Sequence, residues 1–226
     1  MKDAHARRLD MVRNQVERRG IRDTGVLRAL EQVPREAFVP EGIRHRAYED
    51  SALPIACGQT ISQPYVVGRM CEALGLEPHA RVLEVGTGSG YAAAVLAELA
   101  ETVDTVERFE ELAAAARERL RQLGVGNVRI HVGDGSVGWP EHAPYDAILV
   151  SAGAPDVPPA LLRQLAVGGN LVLPLGPSPY DQDLVRVRRV DDDLLRRTRL
   201  GGVRFVPLVG AEGWSDEDAG RPGWLR

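Results

Sequence analysis

The chain has 226 residues, of which 44% are hydrophobic and 27% charged, and its net charge is −4. These values are typical of one large globular domain, with room for a small appendage. They argue against a membrane-spanning protein, because no apolar run approaches the roughly 18 residues of a span, and the dispersed basic residues argue against nucleic acid as the main partner.

The cysteines and histidines bear on the cellular compartment and on metal binding. Cys57 and Cys71 cannot build a disulfide framework, and they suit a reducing compartment. The N-terminus, MKDAHARRLDM, has no apolar signal-peptide core. We therefore expect a cytoplasmic monomer without a membrane partner. The five histidines are scattered, with none at metal-ligand spacing, so we predict no metal site.

The chain starts with a segment in which helices are predicted at residues 4–19, 24–33 and 65–75. Gly20 ends the first helix, Asp23 or Thr24 can cap the second, and Pro34 ends it. Residues 36–57 are irregular. The neutral, polar segment GQTISQPY at 58–65 follows, and its proline suits the first turn of the third helix.

From residue 81, short β-type runs alternate with helical patterns. The strands are predicted at 81–85, 103–107, 128–132, 145–150 and 170–175, and the helices at 92–100, 109–123 and 158–165, the last stopped by Gly168-Gly169. This alternation predicts parallel βαβ units in a doubly wound, mostly parallel α/β sheet. LVRVRRV at 184–190 and VRFVPLV at 203–209, with Asp192-Asp193 between them, predict a C-terminal antiparallel hairpin.

These elements divide the chain into three regions. We expect an α-helical N-terminal segment with the polar loop at 1–78, an α/β core at 79–210 and a polar tail at 211–226, with Trp214 and Trp224 as isolated anchors. No low-complexity linker separates the first two regions, so we expect them to pack as one unit.

A glycine-rich turn, VLEVGTGSGY at 82–91, joins the first strand of the core to its helix. Gly86, Gly88 and Gly90 let a ligand approach the backbone closely, but a tight turn alone needs the same residues. The spacing is G-x-G-x-G, which differs from the dinucleotide pattern G-x-G-x-x-G. Glu84 inside the strand would repel a phosphate and favour an amino group.

Acidic residues follow the next two strands. Glu107 ends the second strand, where an acid commonly binds ribose hydroxyls, and Asp134 with Gly135 follows the third, where an acid could accept from adenine. Glu107 and Asp134 alone are more often solvated loop acids than ligands, and Glu84 alone could be a paired interior charge or lie at an exposed strand end. Their order along successive strands indicates S-adenosylmethionine, which has an amino-acid end, a ribose and an adenine. We also place Thr87 and Arg108 in this predicted cofactor site.

The chain resembles the protein-L-isoaspartate (D-aspartate) O-methyltransferase family between residues 9 and 210. The likeness lies in PIACGQTISQPY (54–65), VLEVGTGSGY (82–91), VDTVER (103–108), VGDGSVGWPEHAPYDAILVSAGAP (132–155), LAVGGNLVLPLG (165–176) and GVRFVPLVG (202–210). The glycine loop is common to many S-adenosylmethionine enzymes, whereas GQTISQPY and the 132–155 segment are more specific. Ala56-Cys57 and the tail EDAGRPGWLR depart from the family pattern.

The resemblance implies a Rossmann-like class I methyltransferase fold, with S-adenosylmethionine as cofactor. It implies transfer of a methyl group to the α-carboxylate of L-isoaspartyl residues in damaged proteins or peptides. The ester then closes to a succinimide, whose hydrolysis partly restores aspartyl. Isoaspartyl proteins and peptides are therefore the expected partners.

The resemblance also implies that Ser62 is the catalytic residue. We assign it to orienting the substrate carboxylate, because a serine nucleophile would need a histidine base and no G-x-S-x-G elbow surrounds it. Ser62 could instead cap the helix that starts at Pro64, or do both. Gln59, Thr60 and Ile61 are expected to line the methionine end of the cofactor, with Thr60 also binding substrate.

The C-terminal VRFVP segment is the candidate for holding the substrate backbone. Val203 and Phe205 are its predicted substrate-binding residues, because an extended edge can pair with a peptide through main-chain hydrogen bonds without reading its sequence. An ordinary strand is the competing interpretation for residues 203–207.

Two other functions fit the same motifs. One is a methyltransferase of another carboxylate or of a small molecule, which would methylate an isoaspartyl peptide no better than its aspartyl twin. The other is a non-catalytic cofactor-binding interaction protein, which would bind S-adenosylhomocysteine without turnover.

Overall fold

The computed structural model describes residues 4–178 and 181–219. Its α-helices are α1 (Ala4–Met11), α2 (Thr24–Gln32), α3 (Pro64–Leu74), α4 (Tyr91–Ala97), α5 (Glu110–Gln122), α6 (Pro159–Gln164) and α7 (Asp216–Ala219). Its strands are β1 (Leu53–Pro54), β2 (Thr60–Ile61), β3 (Arg81–Val85), β4 (Thr102–Glu107), β5 (Val128–Val132), β6 (Tyr145–Val150), β7 (Leu165–Ser178), β8 (Asp181–Arg189) and β9 (Leu195–Val203). Trp224 and the rest of the tail from residue 220 lie outside the described residues.

A seven-stranded sheet of order β5-β4-β3-β6-β7-β8-β9 forms the centre of the fold. β5, β4, β3, β6 and β7 pair in parallel, and β7, β8 and β9 pair antiparallel. The chain runs outward from β3 through β4 to β5, then crosses back to β6 on the other side. This reversal opens a crevice at the carboxyl ends of β3 and β6, where open α/β sheets bind ligands. The predicted doubly wound α/β fold is confirmed.

Both faces of the sheet are covered, so its central strands are almost continuously buried, as parallel strands are. One core cluster lies on the face of the N-terminal helices and includes Leu30, Met70 and Val82. A second lies on the opposite face and includes Leu83 and Leu161. The first cluster joins the N-terminal segment to the sheet, while the division at residue 78 stays a prediction. Within the described residues, no helix combines the length and apolar character needed to cross a bilayer.

The N-terminal helices differ slightly from the sequence prediction. The stretch at 4–19 begins as α1 but continues as a π turn at Val12–Val16 and a 3-10 turn at Glu17–Arg19. Gly20 stops it in a left-handed conformation with φ of 105°. Asp23, one of the two predicted caps, accepts a hydrogen bond from the Val26 N–H at 2.9 Å and caps α2.

The predicted C-terminal antiparallel hairpin is confirmed, but two details of the C-terminal half are wrong. Gly168-Gly169 does not stop a helix: α6 ends at Gln164, and β7 already pairs at Leu165, so the glycines lie in a register shift of the strand. The hairpin partner of β8 is β9 rather than 203–209. Because β9 is an edge strand of sequence LRRTRLGGV, its arginines hide the apolar alternation on which the prediction relied.

Residues 204–209 instead form a crossing segment that passes over the end of β6. The Gly153 N–H donates to the Val206 carbonyl at 2.8 Å, and the Leu208 N–H donates to the Gly153 carbonyl at 2.7 Å. The buried Gln182 amide replaces a strand partner for Phe205: its Oε1 accepts from the Phe205 N–H at 2.8 Å, and its Nε2 donates to the Phe205 carbonyl at 3.2 Å. These bonds hold the crossing segment against the sheet.

A polar cluster fastens β5 and the loop before β6 to β4. His131 Nε2 and His142 Nδ1 both lie 2.8 Å from Asp104 Oδ1, and Arg129 donates to the same buried carboxylate. The His131 ring stacks on Trp139 with centroids 4.0 Å apart. The scattered histidines of the sequence thus come together through the fold, which sequence spacing could not indicate.

Replacing Gly153 with Ala should loosen the crossing segment. An added Cβ would overlap the Gln182 amide, so we expect Gly153→Ala to lower the free energy of unfolding by about 1–3 kcal/mol, the usual effect of overpacking. Urea denaturation measures this change. Gly126→Ala is the control, since nothing lies within 4 Å of its Cβ position. A Gly153→Ala protein as stable as the control would show that the Gln182 amide can shift away from the added methyl group without loss of stability.

Candidate active site

A cavity lies at the carboxyl ends of β3, β4 and β6. Its empty space is about 930 Å³, which includes the mouth open to solvent. Its walls come from the glycine loop, the loop at residues 59–62 and the crossing segment, whose Val206–Val209 stretch faces it. We call it the cofactor cavity.

The glycine loop needs its glycines for backbone conformation. Gly86, Gly88 and Gly90 have φ values of 92°, 54° and 89°, all in the left-handed region that side chains disfavour. Gly86 and Gly88 line the cofactor cavity, as does Thr87 between them. Gly90 lies outside the wall, where an added Cβ would approach the Ala116 Cβ to 3.2 Å. The geometry therefore gives Gly90 a packing role.

Glu107 lies on the cavity wall, as predicted for a ribose ligand. Its Oε2 accepts from the Gly88 N–H at 2.8 Å, and its Oε1 accepts from the Phe109 N–H at 3.0 Å. A carboxylate offers about four lone-pair sites, so two remain for hydroxyl donors. Arg108 also lines the cavity, with its Nη2 3.2 Å from Asp216 Oδ1.

Glu84 is fully buried and does not reach the cavity wall. Its Oε2 accepts from the Thr105 hydroxyl at 2.6 Å, and Thr105 lies 2.7 Å from the Thr87 hydroxyl. Because the single Thr105 proton goes to Glu84, Thr87 must donate to Thr105. Burial, reinforced by the charge of Glu107, raises the pKa of Glu84 to about 8 although the Thr105 bond opposes the shift. The predicted direct contact is thus replaced by a hydroxyl relay that ends at Thr87.

Asp134 also lies behind the wall, although its neighbour Gly135 is on it. Its Oδ1 accepts from the Ser136 N–H at 2.8 Å and the Ser136 hydroxyl at 2.7 Å, and its Oδ2 accepts from the Ala211 N–H at 2.7 Å. Burial alone would raise the pKa of Asp134, but the bonds from Ala211 and Ser136 outweigh it and hold the pKa below its usual range. Asp134 therefore ties the Gly135 loop to the chain just after the crossing segment.

The loop before α3 supplies its predicted residues directly. The side chains or backbone of Gln59, Thr60, Ile61 and Ser62 all line the cofactor cavity. The small hairpin of β1 and β2 fixes the loop by pairing Leu53 with Ile61. The sharp turn before it places Cys57 in the left-handed region with φ of 55°.

The residues at the N-terminus of α3 show whether Ser62 caps that helix. The N-cap position is Gln63, and no side chain makes a capping hydrogen bond there. Pro64 begins the helix and has no N–H to be capped. In the described part of the chain, the structure gives the Ser62 hydroxyl no hydrogen-bond partner, so it is available to a ligand.

A second cavity, the substrate groove, adjoins the first at this loop. It encloses about 1070 Å³, counting open space. Thr60 and Ser62 line both cavities, and Val203 and Phe205 line the groove. The four predicted substrate-binding residues therefore share one groove. Main-chain pairing with a peptide is not open at Phe205, however, because the Gln182 amide already binds both of its peptide groups.

No periodic pattern in the sequence marks Arg35, which the structure places beneath the loop. It is fully buried, and its Nη2 donates to the Ser62 carbonyl at 2.7 Å. The sole signal was a charged residue in a stretch with several apolar residues, PREAFV, which is too common to single out a residue.

The donor set of the cofactor cavity fits S-adenosylmethionine. The glycine cradle gives close approach to the backbone, and Glu107 has lone pairs left for a ribose diol. Glu84 Oε1 is buried without a hydrogen-bond partner among the described residues. Glu84 does not line the cavity, so its link to the amino-acid end of a cofactor would run through Thr105 and Thr87.

Comparison with known proteins gives consistent matches. The family model described as protein-L-isoaspartate(D-aspartate) O-methyltransferase matches residues 6–213. Protein-L-isoaspartate O-methyltransferase 2 of Pelobacter propionicus is 61% identical over 214 residues, 95% of each chain. A solved protein-L-isoaspartate O-methyltransferase superposes with a TM-score of 0.80 and 30% identity, over 91% of this chain and 67% of that one. A beta-aspartate methyltransferase from Plasmodium falciparum, in complex with S-adenosyl-L-homocysteine, superposes with a TM-score of 0.78 and 27% identity. The match covers 89% of this chain and 98% of that one.

Glu84→Gln should remove a pH dependence of stability. Folded Glu84 keeps its proton up to about pH 8, whereas an unfolded glutamate loses it near pH 4.3. The folded protein thus binds the extra proton, and its stability falls as pH rises between these values, by up to about 1.4 kcal/mol per unit. Urea denaturation from pH 5 to 8 should show this slope flattened in Glu84→Gln. The exposed Glu98→Gln is the control, and an unchanged slope in Glu84→Gln would assign the effect elsewhere.

Asp134→Ala should weaken binding of S-adenosylhomocysteine about 10-fold or more, because hydrogen bonds to a charged group contribute about 1.5–3 kcal/mol each. Isothermal titration calorimetry measures the affinity. Ser136→Ala keeps the carboxylate and its bond from the Ala211 N–H but removes the hydroxyl that joins Asp134 to the Glu212 N–H. Equal loss in both variants indicates the link through Ser136, whereas loss in Asp134→Ala alone indicates that the carboxylate itself is needed, through the Ala211 bond or through adenine. Unchanged affinity in Asp134→Ala would show that adenine binds elsewhere.

Proposed function

The chain belongs to the protein-L-isoaspartate(D-aspartate) O-methyltransferase family, and we propose that its two cavities perform that reaction where they meet, at Thr60 and Ser62. It is an S-adenosylmethionine-dependent enzyme that transfers a methyl group to L-isoaspartyl residues of proteins or peptides. The acceptor is the α-carboxylate, and the ester leads through a succinimide back to aspartyl.

S-adenosylmethionine supplies an electrophilic methyl group on a sulfonium, whose departure leaves a neutral thioether. Gly86, Thr87 and Gly88 would hold its amino-acid end, with Gln59 and Ile61 on the opposite wall. Glu107 would accept from the ribose hydroxyls, with Arg108 beside it. Gly135, backed by Asp134, would hold the adenine end.

The substrate needs no general base. An α-carboxyl group has a pKa near 3.5, so it is ionised at neutral pH. The enzyme must align it with the methyl group, and alignment alone can contribute roughly 7–11 kcal/mol. Neutral donors suit this task, because a cation in direct contact would hold the carboxylate but weaken it as a nucleophile.

One observation carries this assignment: Ser62 lines both cavities, and its hydroxyl has no hydrogen-bond partner among the described residues. Its neighbour Thr60 lines both cavities too. Both hydroxyls could donate to one carboxylate while leaving a lone pair directed toward the methyl group. Ser62 is therefore the proposed catalytic residue, acting by orientation.

The rest of the substrate would lie in the groove. Val203 and Phe205 line it together with Thr60 and Ser62. Since the Phe205 backbone is engaged by Gln182, we assign these residues to contact through their side chains. Such contacts are compatible with many peptide sequences.

We also propose a cytoplasmic monomer whose partners exclude nucleic acid and membranes. The net charge of −4 and the free thiols of Cys57 and Cys71 support this proposal. Light scattering after size exclusion should give the mass of one chain, and a dimer mass would contradict the monomer.

The repair activity is tested with a pair of synthetic peptides that differ only in an L-isoaspartyl or a normal aspartyl linkage. Methyl transfer from radiolabelled S-adenosylmethionine should occur to the first and not to the second. Equal transfer to both would indicate a less selective carboxyl methyltransferase. Binding of S-adenosylhomocysteine with transfer to neither would indicate a non-catalytic binding protein.

Ser62→Ala should lower kcat for the isoaspartyl peptide by about 10-fold or more, as expected for loss of a group that aligns reactants, while affinity for S-adenosylhomocysteine stays near wild type. Steady-state kinetics and calorimetry measure the two quantities. Ser51→Ala is the matched control, because its buried hydroxyl lines neither cavity. If the cofactor affinity of Ser62→Ala falls as far as its kcat, Ser62 belongs to the cofactor site instead.

A further inference from the structure

Arg35 lies in the first turn of the 3-10 segment Arg35–Phe38 and is completely buried. Its Nε donates to the Ala47 carbonyl at 2.8 Å, and its Nη2 donates to the Ser62 carbonyl at 2.7 Å. Its guanidinium lies 4.8 Å from the centroid of the Tyr91 ring, and Tyr91 lines the cofactor cavity. One side chain thus contacts Ala47, Ser62 of the loop before α3 and Tyr91, the first residue of α4.

Burying the charged side chain of Arg35 is energetically unfavourable. Among the described residues, no carboxylate forms a salt bridge with Arg35, and its Nη1 has no hydrogen-bond partner. Removing a charged group from water costs several kcal/mol unless it is paired. The two carbonyls and the face of Tyr91 offset only part of that cost. An apolar side chain would fill the space without the penalty, so simple packing does not account for the arginine.

The arrangement of its contacts suggests what the charge does. Nε and Nη2 lie in one plane, and this rigid fork spans two carbonyls from separate parts of the chain. The Ala47 carbonyl follows the 3-10 turn Glu41–Arg46, whereas the Ser62 carbonyl belongs to a residue that lines both cavities. Fixing the Ser62 carbonyl fixes the peptide plane from which the Ser62 hydroxyl is aimed.

We propose that Arg35 is a positioning residue for methyl transfer, which aims the Ser62 hydroxyl through its carbonyl and places a positive charge one layer behind the substrate carboxylate. The proposal rests on the proposed function of Ser62. A cation behind the loop attracts the anionic nucleophile through the weakly screening interior. It does so without contacting the carboxylate, so the lone pair that attacks the methyl group stays free.

A purely structural role is the competing explanation, and Asn127 offers a matched control. Its side-chain amide donates to the carbonyls of Ala97 at 2.9 Å, Ala100 at 3.1 Å and Glu101 at 3.4 Å, and it lines neither cavity. Asn127→Ala therefore removes a comparable set of side-chain bonds to backbone carbonyls away from the site. Any effect that follows from lost stability alone should appear in this variant too.

The experiment compares Arg35→Lys and Arg35→Met with Asn127→Ala in the full-length protein. All are assayed well below their melting temperatures with an isoaspartyl peptide, and S-adenosylhomocysteine affinity is measured by calorimetry. A 1 Å misplacement of a reacting group can reduce the rate about 100-fold, so we expect a loss of kcat/KM of that order in Arg35→Met and a smaller one in Arg35→Lys, which keeps the charge. Cofactor affinity should stay within about threefold, since the group acts on substrate alignment alone.

A double-mutant cycle tests whether Arg35 acts through Ser62. In the Ser62→Ala background there is no hydroxyl to aim, so Arg35→Lys should reduce kcat by less than about threefold there, against a larger loss in the wild-type background. Equal losses in both backgrounds would overturn the proposal. So would a parallel loss of cofactor affinity, or kinetics of Arg35→Lys matching those of Asn127→Ala.

The outcomes separate the two levels of inference. If the wild-type protein does not methylate the isoaspartyl peptide, the proposed function fails. If it does, and Arg35→Lys behaves like the control, only the role of Arg35 fails. If neither Arg35 variant folds while Asn127→Ala does, Arg35 is a structural residue and the proposal is wrong.

Discussion

The parallel pairing of β3 with β4 on one side and β6 on the other determines where everything else in this protein can lie. Because the chain leaves β3 in one direction and returns on the other side, the loops after these strands diverge and leave a crevice. The glycine loop and Glu107 reach that crevice from the strands themselves. The N-terminal segment and the crossing segment reach it from outside the sheet and supply the remaining walls, so that a general ligand site becomes a methyl-transfer site.

Much of this arrangement can be predicted from the sequence. Alternation of short apolar runs with helical patterns predicts the parallel sheet, and the order of Glu84, Glu107 and Asp134 places them at successive strands. The sequence does not show in which direction a side chain points once its strand has formed. Glu84 and Asp134 turn away from the cavity because hydrogen-bond donors behind the wall, Thr105 and Ala211, are brought to them only by the fold.

The failures have the same origin. The alternation in β9 is hidden by arginines that an edge strand can carry, so the hairpin was placed one segment too late. Arg35, His131 and His142 depend on partners that are distant in sequence, and no local pattern marks such a residue. Two residues on the cavity walls are supported by a buried charged residue behind them: Thr87 is linked through Thr105 to Glu84, and the Ser62 carbonyl accepts from Arg35. The residues in this inner layer are the ones that local sequence reasoning misplaces or misses.

The crossing segment belongs to both cavities. Val206–Val209 forms a wall of the cofactor cavity, while Val203 and Phe205 at its beginning line the substrate groove. A molecule that restricts one end of so short a stretch of covalent chain also restricts the other. If the cofactor orders this stretch in favour of the peptide, the peptide must favour binding of the cofactor by the same free energy. Cooperativity between two ligands would then follow from the continuity of the backbone, without any change in the fold.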